Sequence, residues 1–132
     1  MTNKLETTIK IDSWDEKPSE EYDDGTKLAH AVVKLTEGND GLRTGHLESV
    51  LYYGADGTSS YVGVLRLDAE LDGRSGSFTA LGHGEYDGTT ASSTMPIIEG
   101  TGELDGIAGS VSSSSTHADY PNMPLVIEYT LG

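Results

Sequence analysis

Apolar and polar side chains alternate over most of the chain. Ile9 and Ile11 alternate with polar neighbours, and the same alternation runs over residues 61–71 and 125–131. A period of two is that of a β-strand with one buried face, whereas an amphipathic helix repeats about every 3.6 residues. The pattern predicts an all-β protein with little or no helix, apart from a short helical turn around residues 103–107.

Asp-Gly pairs divide these alternating runs at regular intervals. The pairs begin at positions 24, 40, 56, 72, 87 and 105, and Pro121-Asn122 provides one further turn pair. Asp-Gly is typical of tight type I′ hairpin turns, in which both central residues have positive φ. The spacing predicts eight strands of about ten to twelve residues each, joined by turns.

Eight sequential antiparallel strands leave two edges exposed unless the sheet closes on itself. We therefore predict a single domain, residues 1–132, that folds as an eight-stranded antiparallel up-and-down β-barrel. A two-sheet sandwich is the alternative architecture. The interior of an eight-stranded barrel is either filled by side chains or holds one small ligand.

Two segments depart from the alternation. Residues 15–24 read DEKPSEEYDD, and we expect them to form a solvated loop between the first two strands. Residues 110–116 read SVSSSST, and their serines either line one face of a strand or belong to a flexible edge.

The chain is strongly acidic, with 22 Asp and Glu against 8 Lys and Arg and a net charge of −14. Such a surface repels phosphate, which argues against nucleic acid as a partner, and no basic cluster is present to dock on an anionic membrane. The chain has no long apolar run and no secretory signal at its N-terminus. We therefore expect a cytoplasmic protein.

The residue pattern matches no metal or cofactor motif. Cysteine is absent, and the four histidines are far apart in sequence, without an HExxH motif. The glycine runs at 82–88 and 100–109 do not have the spacing of a nucleotide-binding GxGxxG motif, and no GxSxG motif of a serine hydrolase occurs. We expect neither a metal ion nor a cofactor.

The predicted strand over residues 45–53 carries a candidate acid and base. Period two places His46 and Glu48 on one face, and Leu47 and Leu51 on the other. An imidazole and a carboxylate in this arrangement lie about 7 Å apart, within reach of one substrate or water molecule. If their face points into the barrel, Glu48 is a buried carboxylate with a raised pKa; if it points outward, the pair is an ordinary polar surface.

Other side chains are candidates for lining a ligand cavity. Trp14 ends the first predicted strand and falls on the opposite face from the two isoleucines of that strand. It either plugs one end of the barrel or forms a pocket wall, with Glu16 at the rim. Tyr52 and Tyr61 are large amphipathic side chains, which line cavities but also fill cores.

Several segments resemble a bacterial family of unknown function, DUF3224. They are SWDE at 13–16, GRSGSF at 73–78, GTGELDGIAG at 100–109 and EYTL at 128–131, in order and over nearly the whole chain. The family is grouped with the allene oxide cyclase barrel-like superfamily. The run at 100–109 is similar to the glycine-rich motif of plant allene oxide cyclases and dirigent proteins.

This resemblance implies an eight-stranded antiparallel barrel with a mostly apolar cavity. Its named relatives bind a reactive small molecule, or steer its cyclisation or coupling, without metal or cofactor. The family pattern has a glutamate at the position of Glu48 and a basic or polar residue at that of His30. His83 lies one residue away from the expected Gln-His pair, and such an offset reverses the face of a side chain unless a bulge restores it.

We therefore predict that the barrel binds a small apolar or aromatic molecule, with cofactor-free isomerisation or cyclisation as the hypothesised activity. In that hypothesis Glu48 and His46 exchange protons with the ligand, and the other candidate residues shape the cavity. The alternatives are a non-catalytic carrier and a solid-packed barrel that acts through protein contacts. Apolar residues on both strand faces also favour a homo-oligomer.

Overall fold

The computed structural model describes residues 2–131, and these fold into one closed antiparallel barrel. Each strand pairs with the next in sequence, and the last pairs with the first. The strands are β1 (Asn3–Glu21), β2 (Lys27–Thr36), β3 (Leu42–Tyr53), β4 (Ser59–Leu71), β5 (Arg74–Tyr86), β6 (Ala91–Gly102), β7 (Ala108–Ser115) and β8 (Asn122–Thr130). The predicted eight-stranded up-and-down barrel is confirmed.

Helix is confined to one short segment of the described chain. A 3₁₀ helix over His117–Asp119 lies in the connection from β7 to β8, and residues 103–106 form a turn. Within residues 2–131, no helix has the length and apolar character needed to cross a membrane.

The Asp-Gly pairs lie in the connections between strands, as predicted. The glycine of every pair has positive φ, and the aspartate does as well in Asp40-Gly41 and Asp72-Gly73. In three other pairs the turn is held by the aspartate side chain: Asp24, Asp56 and Asp87 each accept hydrogen bonds from threonines that follow the glycine. Two successive positive φ values, as a type I′ turn requires, thus occur only at Asp40-Gly41 and Asp72-Gly73 among these pairs. The three turns held by aspartate side chains have a different backbone conformation.

The connections divide into two sets at opposite ends of the barrel. The β1–β2, β3–β4, β5–β6 and β7–β8 connections lie at one end, which we call the cavity end. The remaining connections, the start of β1 and the end of β8 lie at the other end, which we call the closed end. The interior toward the closed end is filled by buried side chains that include Ile9, Leu65, Leu67, Phe78, Leu125 and Ile127.

The β6–β7 connection completes the core at the closed end. Leu104 and Ile107 lie in this connection, and both are buried in the core. The loop can approach β6 because residue 100 is glycine: a Cβ at Gly100 would overlap the carbonyl oxygen of Leu104. The glycine-rich run therefore allows the chain to fold over the end of the barrel and close it.

The acidic segment 15–24 is not a loop, and this prediction was wrong. β1 continues to Glu21, which lies opposite Lys27 of β2, so most of the segment pairs with its neighbour strand. Its acidic side chains are mostly exposed while its backbone takes part in the sheet. Backbone pairing with β2 therefore keeps this segment in the sheet despite its polar composition. The serine-rich segment forms β7, which corresponds to the strand alternative.

Candidate functional site

A cavity of about 380 Å³ lies inside the barrel at the cavity end. Trp14 and Tyr120, which are 49% and 62% exposed, lie at its opening to solvent. The volume falls within the range of small-molecule sites, about 300–1,000 Å³. The barrel thus combines a filled half with a hollow half.

The cavity wall is mostly apolar and aromatic, and all eight strands contribute to it. The aliphatic part consists of Ile11, Val33, Leu47, Leu51, Met95 and Met123. The aromatic part consists of Trp14, Tyr53, Tyr61, Tyr86 and Tyr120. Small inward residues, Ala31 and Ala91, complete the wall and leave the centre unfilled.

Serine hydroxyls supply most of the polarity of the wall. The lining serines are Ser49, Ser59, Ser93, Ser113 and Ser115. Ser113 donates to the carbonyl oxygen of Pro124 at 2.7 Å. Ser49 and Ser59 are only 6% and 8% exposed, and neither hydroxyl has a hydrogen-bond partner within residues 2–131. These two hydroxyls remain available to a molecule in the cavity.

Glu16 joins two aromatic side chains at the opening. Trp14 Nε1 donates to Oε1 of Glu16 at 3.1 Å, and the Tyr53 hydroxyl donates to Oε2 at 2.6 Å. Partial burial, together with the Glu16 carboxylate, raises the pKa of Tyr53 well above its ordinary value of 10.0. The Nζ of Lys27 lies 4.7 Å from the centre of the Tyr53 ring. Glu16 is therefore a positioning residue for the two rings.

Tyr61 forms the wall on β4. A Cβ at Gly84 would lie 2.6 Å from the Tyr61 ring, so the ring packs directly against the glycine of the neighbouring strand. Burial raises the pKa of the Tyr61 phenol, which therefore stays protonated at neutral pH. Its hydroxyl makes a long hydrogen bond, 3.5 Å, to the Ser92 carbonyl oxygen.

Trp14 reaches the cavity because β1 is irregular. Strict alternation predicts that Trp14 and Ile11 lie on opposite faces, yet both line the cavity. The register of β1 against β2 shifts between Ile11 and Ser13, and this shift changes the phase of the residues that follow. The predicted orientation of Trp14 was wrong, because a bulge is not visible in the pattern of apolar residues.

His46 and Glu48 lie on the outer face of β3, with side chains 46% and 51% exposed. His46 Nε2 is 2.9 Å from Oε1 of Glu48, and His30 Nε2 is 3.6 Å from Oε2 of the same carboxylate. The hydrogen bond from His46 lowers the pKa of Glu48. Of the two alternatives for this face, the outward one applies: the cluster faces solvent rather than the cavity, and Glu48 is not a buried carboxylate with a raised pKa.

The remaining predicted residues divide between the two faces. Tyr52 and His83 are exposed on the outside of the barrel with His30, whereas Trp14 and Tyr61 line the cavity. The outer face also exposes the apolar side chains Val50, Val62, Val64 and Leu81. The structure thus brings three of the predicted residues, including Glu16, together at the cavity and places the others outside it.

Most of the polar residues of the wall were not among the predicted site residues. Ser49 and Tyr53 share the strand phase of Leu47 and Leu51, so an inward orientation of that face would have identified them. Ser113 and Ser115 lie in the serine-rich segment for which one alternative was a strand face lined by hydroxyls. His117 and Tyr120 come from an irregular connection, in which no periodic pattern indicates direction.

Within residues 2–131, the wall offers hydrogen-bonding side chains but no Asp, Glu, Lys or Arg. Its titratable side chains are Tyr53, Tyr61, Tyr86, Tyr120 and His117. No set of three or more Asp, Glu, His or Cys side chains in the described chain is placed to hold a metal ion. Chemically, the cavity can bury an apolar molecule and present hydroxyl groups, with phenols and one imidazole near its opening.

Comparison with known proteins bears on the family and the fold. The model of a family described as "Protein of unknown function (DUF3224)" matches residues 5–125. A crystal structure of a protein with unknown function from the DUF3224 family of Shewanella oneidensis MR-1 is similar, with a TM-score of 0.71, 21% identity and coverage of 98% of each chain. No curated protein matches the chain. At this identity the structural similarity shows a shared fold.

Proposed function

This chain belongs to the DUF3224 family, and we propose that it binds a small apolar or aromatic molecule inside its barrel. The observation that carries the proposal is the cavity of about 380 Å³, with its mostly apolar wall, above a filled core. A solid-packed barrel that acts only through protein contacts would have no such void.

Burial of apolar ligand surface supplies the affinity. Each 100 Å² of apolar surface removed from water contributes about 2.5 kcal/mol, before the cost of immobilising the ligand. The wall is built on paired strands, so the site is largely formed before a ligand arrives. A compact aromatic molecule suits such a site. It offers a large apolar area for burial, and its few rotatable bonds keep the cost of immobilising it low.

Thermal unfolding in the presence of naphthalene-type compounds tests this proposal. A ligand at 100 times its dissociation constant stabilises the folded state by about 2.7 kcal/mol, which raises the Tm of a domain of this size by several degrees. Ala31→Phe fills the cavity from β2 and is expected to abolish the shift, since Ala31 is buried on the wall.

Val32→Phe is the matched control, because it places the same new side chain on the adjacent, outward-facing position. We expect this variant to keep the full ligand-induced shift. An equal shift in both variants would place the binding site outside the barrel and contradict the proposal.

We propose cofactor-free isomerisation or cyclisation as a second function of the same cavity, supported by the phenols and the imidazole on its wall. The Tyr86 and His117 rings meet edge to face, with centroids 6.4 Å apart, at the opening. Because Glu48 and His46 lie on the outer face, we expect Glu48→Gln to leave any turnover of a bound ligand unchanged. A loss of turnover in this variant would show that the outer-face cluster of Glu48 with His46 and His30 takes part in the reaction.

The grouping with the allene oxide cyclase barrel-like superfamily is likewise a proposal. It is supported by the strand order and by the glycine-rich connection that closes the barrel. Since one fold hosts many functions, this grouping by itself specifies no reaction.

A further inference from the structure

We infer that the molecule bound in the cavity is uncharged and carries a hydrogen-bonding group at its inner end, which Ser49 contacts, and that carboxylates are excluded. This inference rests on the proposed binding function and specifies the class of ligand. It is carried by three features: the absence of Asp, Glu, Lys and Arg from the described wall, the acidic turns at this end, and a cavity-facing hydroxyl that has no partner among residues 2–131.

The described part of the wall has no permanently charged side chain with which to neutralise a charged ligand, and its one imidazole, His117, lies at the opening beside Tyr86. Of the cavity-lining residues in the described chain, none is Asp, Glu, Lys or Arg. A carboxylate moved from water into the interior of such a cavity loses its hydration and meets no Lys or Arg, which is strongly unfavourable. An uncharged molecule of similar shape loses only the hydration of its polar group, which a hydroxyl of the wall can replace.

The end of the barrel at which the cavity opens carries several carboxylates. Asp24, Asp56 and Asp87 lie in turns at this end, and hydrogen bonds from neighbouring threonines lower the pKa of each. Glu16 adds a further carboxylate beside Trp14 and Tyr53. These groups, together with a net charge of −14, repel an approaching anion.

The side chain of Lys27 lies beside this opening. Its Nζ lies over the Tyr53 ring, and the hydroxyl of that ring is bonded to Glu16. Lys27 does not line the cavity. A carboxylate held inside would therefore not contact it.

Ser49 indicates where the polar group of the ligand lies. Its side chain is 6% exposed and lines the cavity, yet its hydroxyl has no hydrogen-bond partner among residues 2–131. No buried side-chain oxygen or nitrogen of residues 2–131 lacks a partner, so the Ser49 hydroxyl is accessible from the cavity. A ligand that covers this hydroxyl has to supply it with a hydrogen bond, because buried hydroxyls in proteins nearly always have a partner. Ser49 lies between Ala31 and Gly63 on the adjacent strands, so no neighbouring side chain there can supply one. An oxygen or nitrogen of the ligand fills this role.

The size of the cavity limits the ligand further. If each non-hydrogen atom occupies roughly the 30 Å³ of a water molecule in the liquid, the cavity holds about a dozen such atoms. A two-ring aromatic compound with one hydroxyl or carbonyl group has this size.

Three naphthalenes that differ in one substituent test the inference by titration calorimetry: 2-naphthylmethanol, 2-methylnaphthalene and 2-naphthoate. We expect 2-naphthylmethanol to bind at least tenfold more tightly than 2-naphthoate at pH 7. Ser49→Ala is expected to weaken binding of the alcohol about 2- to 12-fold, the range for one hydrogen bond, and to leave 2-methylnaphthalene unchanged. Ser60→Ala, an exposed serine of β4, is the matched control and should change neither.

The outcomes separate the inference from the proposed function. If 2-naphthoate binds as tightly as the alcohol, the exclusion of anions is overturned while binding in the cavity stands. If Ser49→Ala weakens the binding of 2-naphthylmethanol and of 2-methylnaphthalene equally, the inferred contact between Ser49 and the polar group of the ligand is overturned. If none of the three compounds binds the wild-type protein, the proposed function itself fails.

Discussion

Glu48 and Ser49 are adjacent in the chain, yet one faces solvent and the other the cavity. The strand phase that separates them is readable from the sequence, because Leu47 and Leu51 mark the apolar face. The chemical roles assigned to the two faces depend on which face is enclosed. Since the leucine face is the inner one, β3 presents the hydroxyls of Ser49 and Tyr53 to the cavity rather than the carboxylate and imidazole of its outer face.

Tyr53 is the residue for which a pH dependence follows most directly. Its pKa is raised in the folded state, so above pH 10 the unfolded chain releases a proton that the folded chain retains. The free energy of unfolding therefore falls as pH rises above this value. We expect Tyr53→Phe to cost about 1 kcal/mol at pH 7 through loss of the hydrogen bond to Glu16, and this deficit to narrow above pH 10.

Urea denaturation at pH 7, 9, 10.5 and 11 measures both effects of Tyr53→Phe. Tyr120→Phe serves as the control, because that side chain is 62% exposed and should show a constant difference from the wild type. If the loss of unfolding free energy caused by Tyr53→Phe does not change with pH, the phenol of Tyr53 has the same pKa in the folded and unfolded states, and the prediction fails.

At the scale of elements, the connections differ between the two ends of the barrel. Three turns at the cavity end have the sequence Asp-Gly-Thr, and their threonines donate to the aspartates. The turns at the closed end lack this threonine, and the β6–β7 connection instead contributes Leu104 to the core. Turn position was therefore predictable from Asp-Gly spacing, whereas the use of one loop to close the barrel was not.

Leu104→Ala tests the role of that loop. Leu104 is completely buried, so truncation leaves a void and is expected to lower the free energy of unfolding by about 2–5 kcal/mol. Ligand affinity should stay unchanged in the folded variant, because the cavity lies at the opposite end. Ile98→Ala, at a side chain 59% exposed, provides the comparison and should change stability by no more than about 0.5 kcal/mol. Equal effects of the two substitutions would contradict the closing role of the loop.

At the scale of the whole molecule, the dominant electrostatic feature is repulsion between acidic groups. The net charge is −14, and ion pairs such as Lys4–Glu6 and Lys10–Glu37 are exposed and weakly stabilising. Raising NaCl from about 0.01 M to about 0.1 M shortens the screening distance from about 30 Å to about 10 Å. We therefore expect salt to raise the Tm in differential scanning calorimetry.

KCl at the same ionic strength should raise the Tm equally, since screening depends on charge rather than on ion identity. A Tm that falls with added salt would mean that attractive pairs outweigh the repulsion.

The outer face of the barrel exposes several valines, at which a second copy of the chain would bury apolar surface. The homo-oligomer stays a prediction.

The sequence by itself determined the strand number, the turns and the two faces of β3, because alternation and Asp-Gly pairs are local features set by backbone geometry. Closure of the sheet followed from the number of sequential strands and the lack of helix. Only the tertiary structure decided which face is enclosed and how far the core fills the interior. It also revealed the bulge that turns Trp14 inward and the irregular connection that brings His117 to the opening. These features depend on contacts between strands that are distant in sequence, and no local pattern records such contacts.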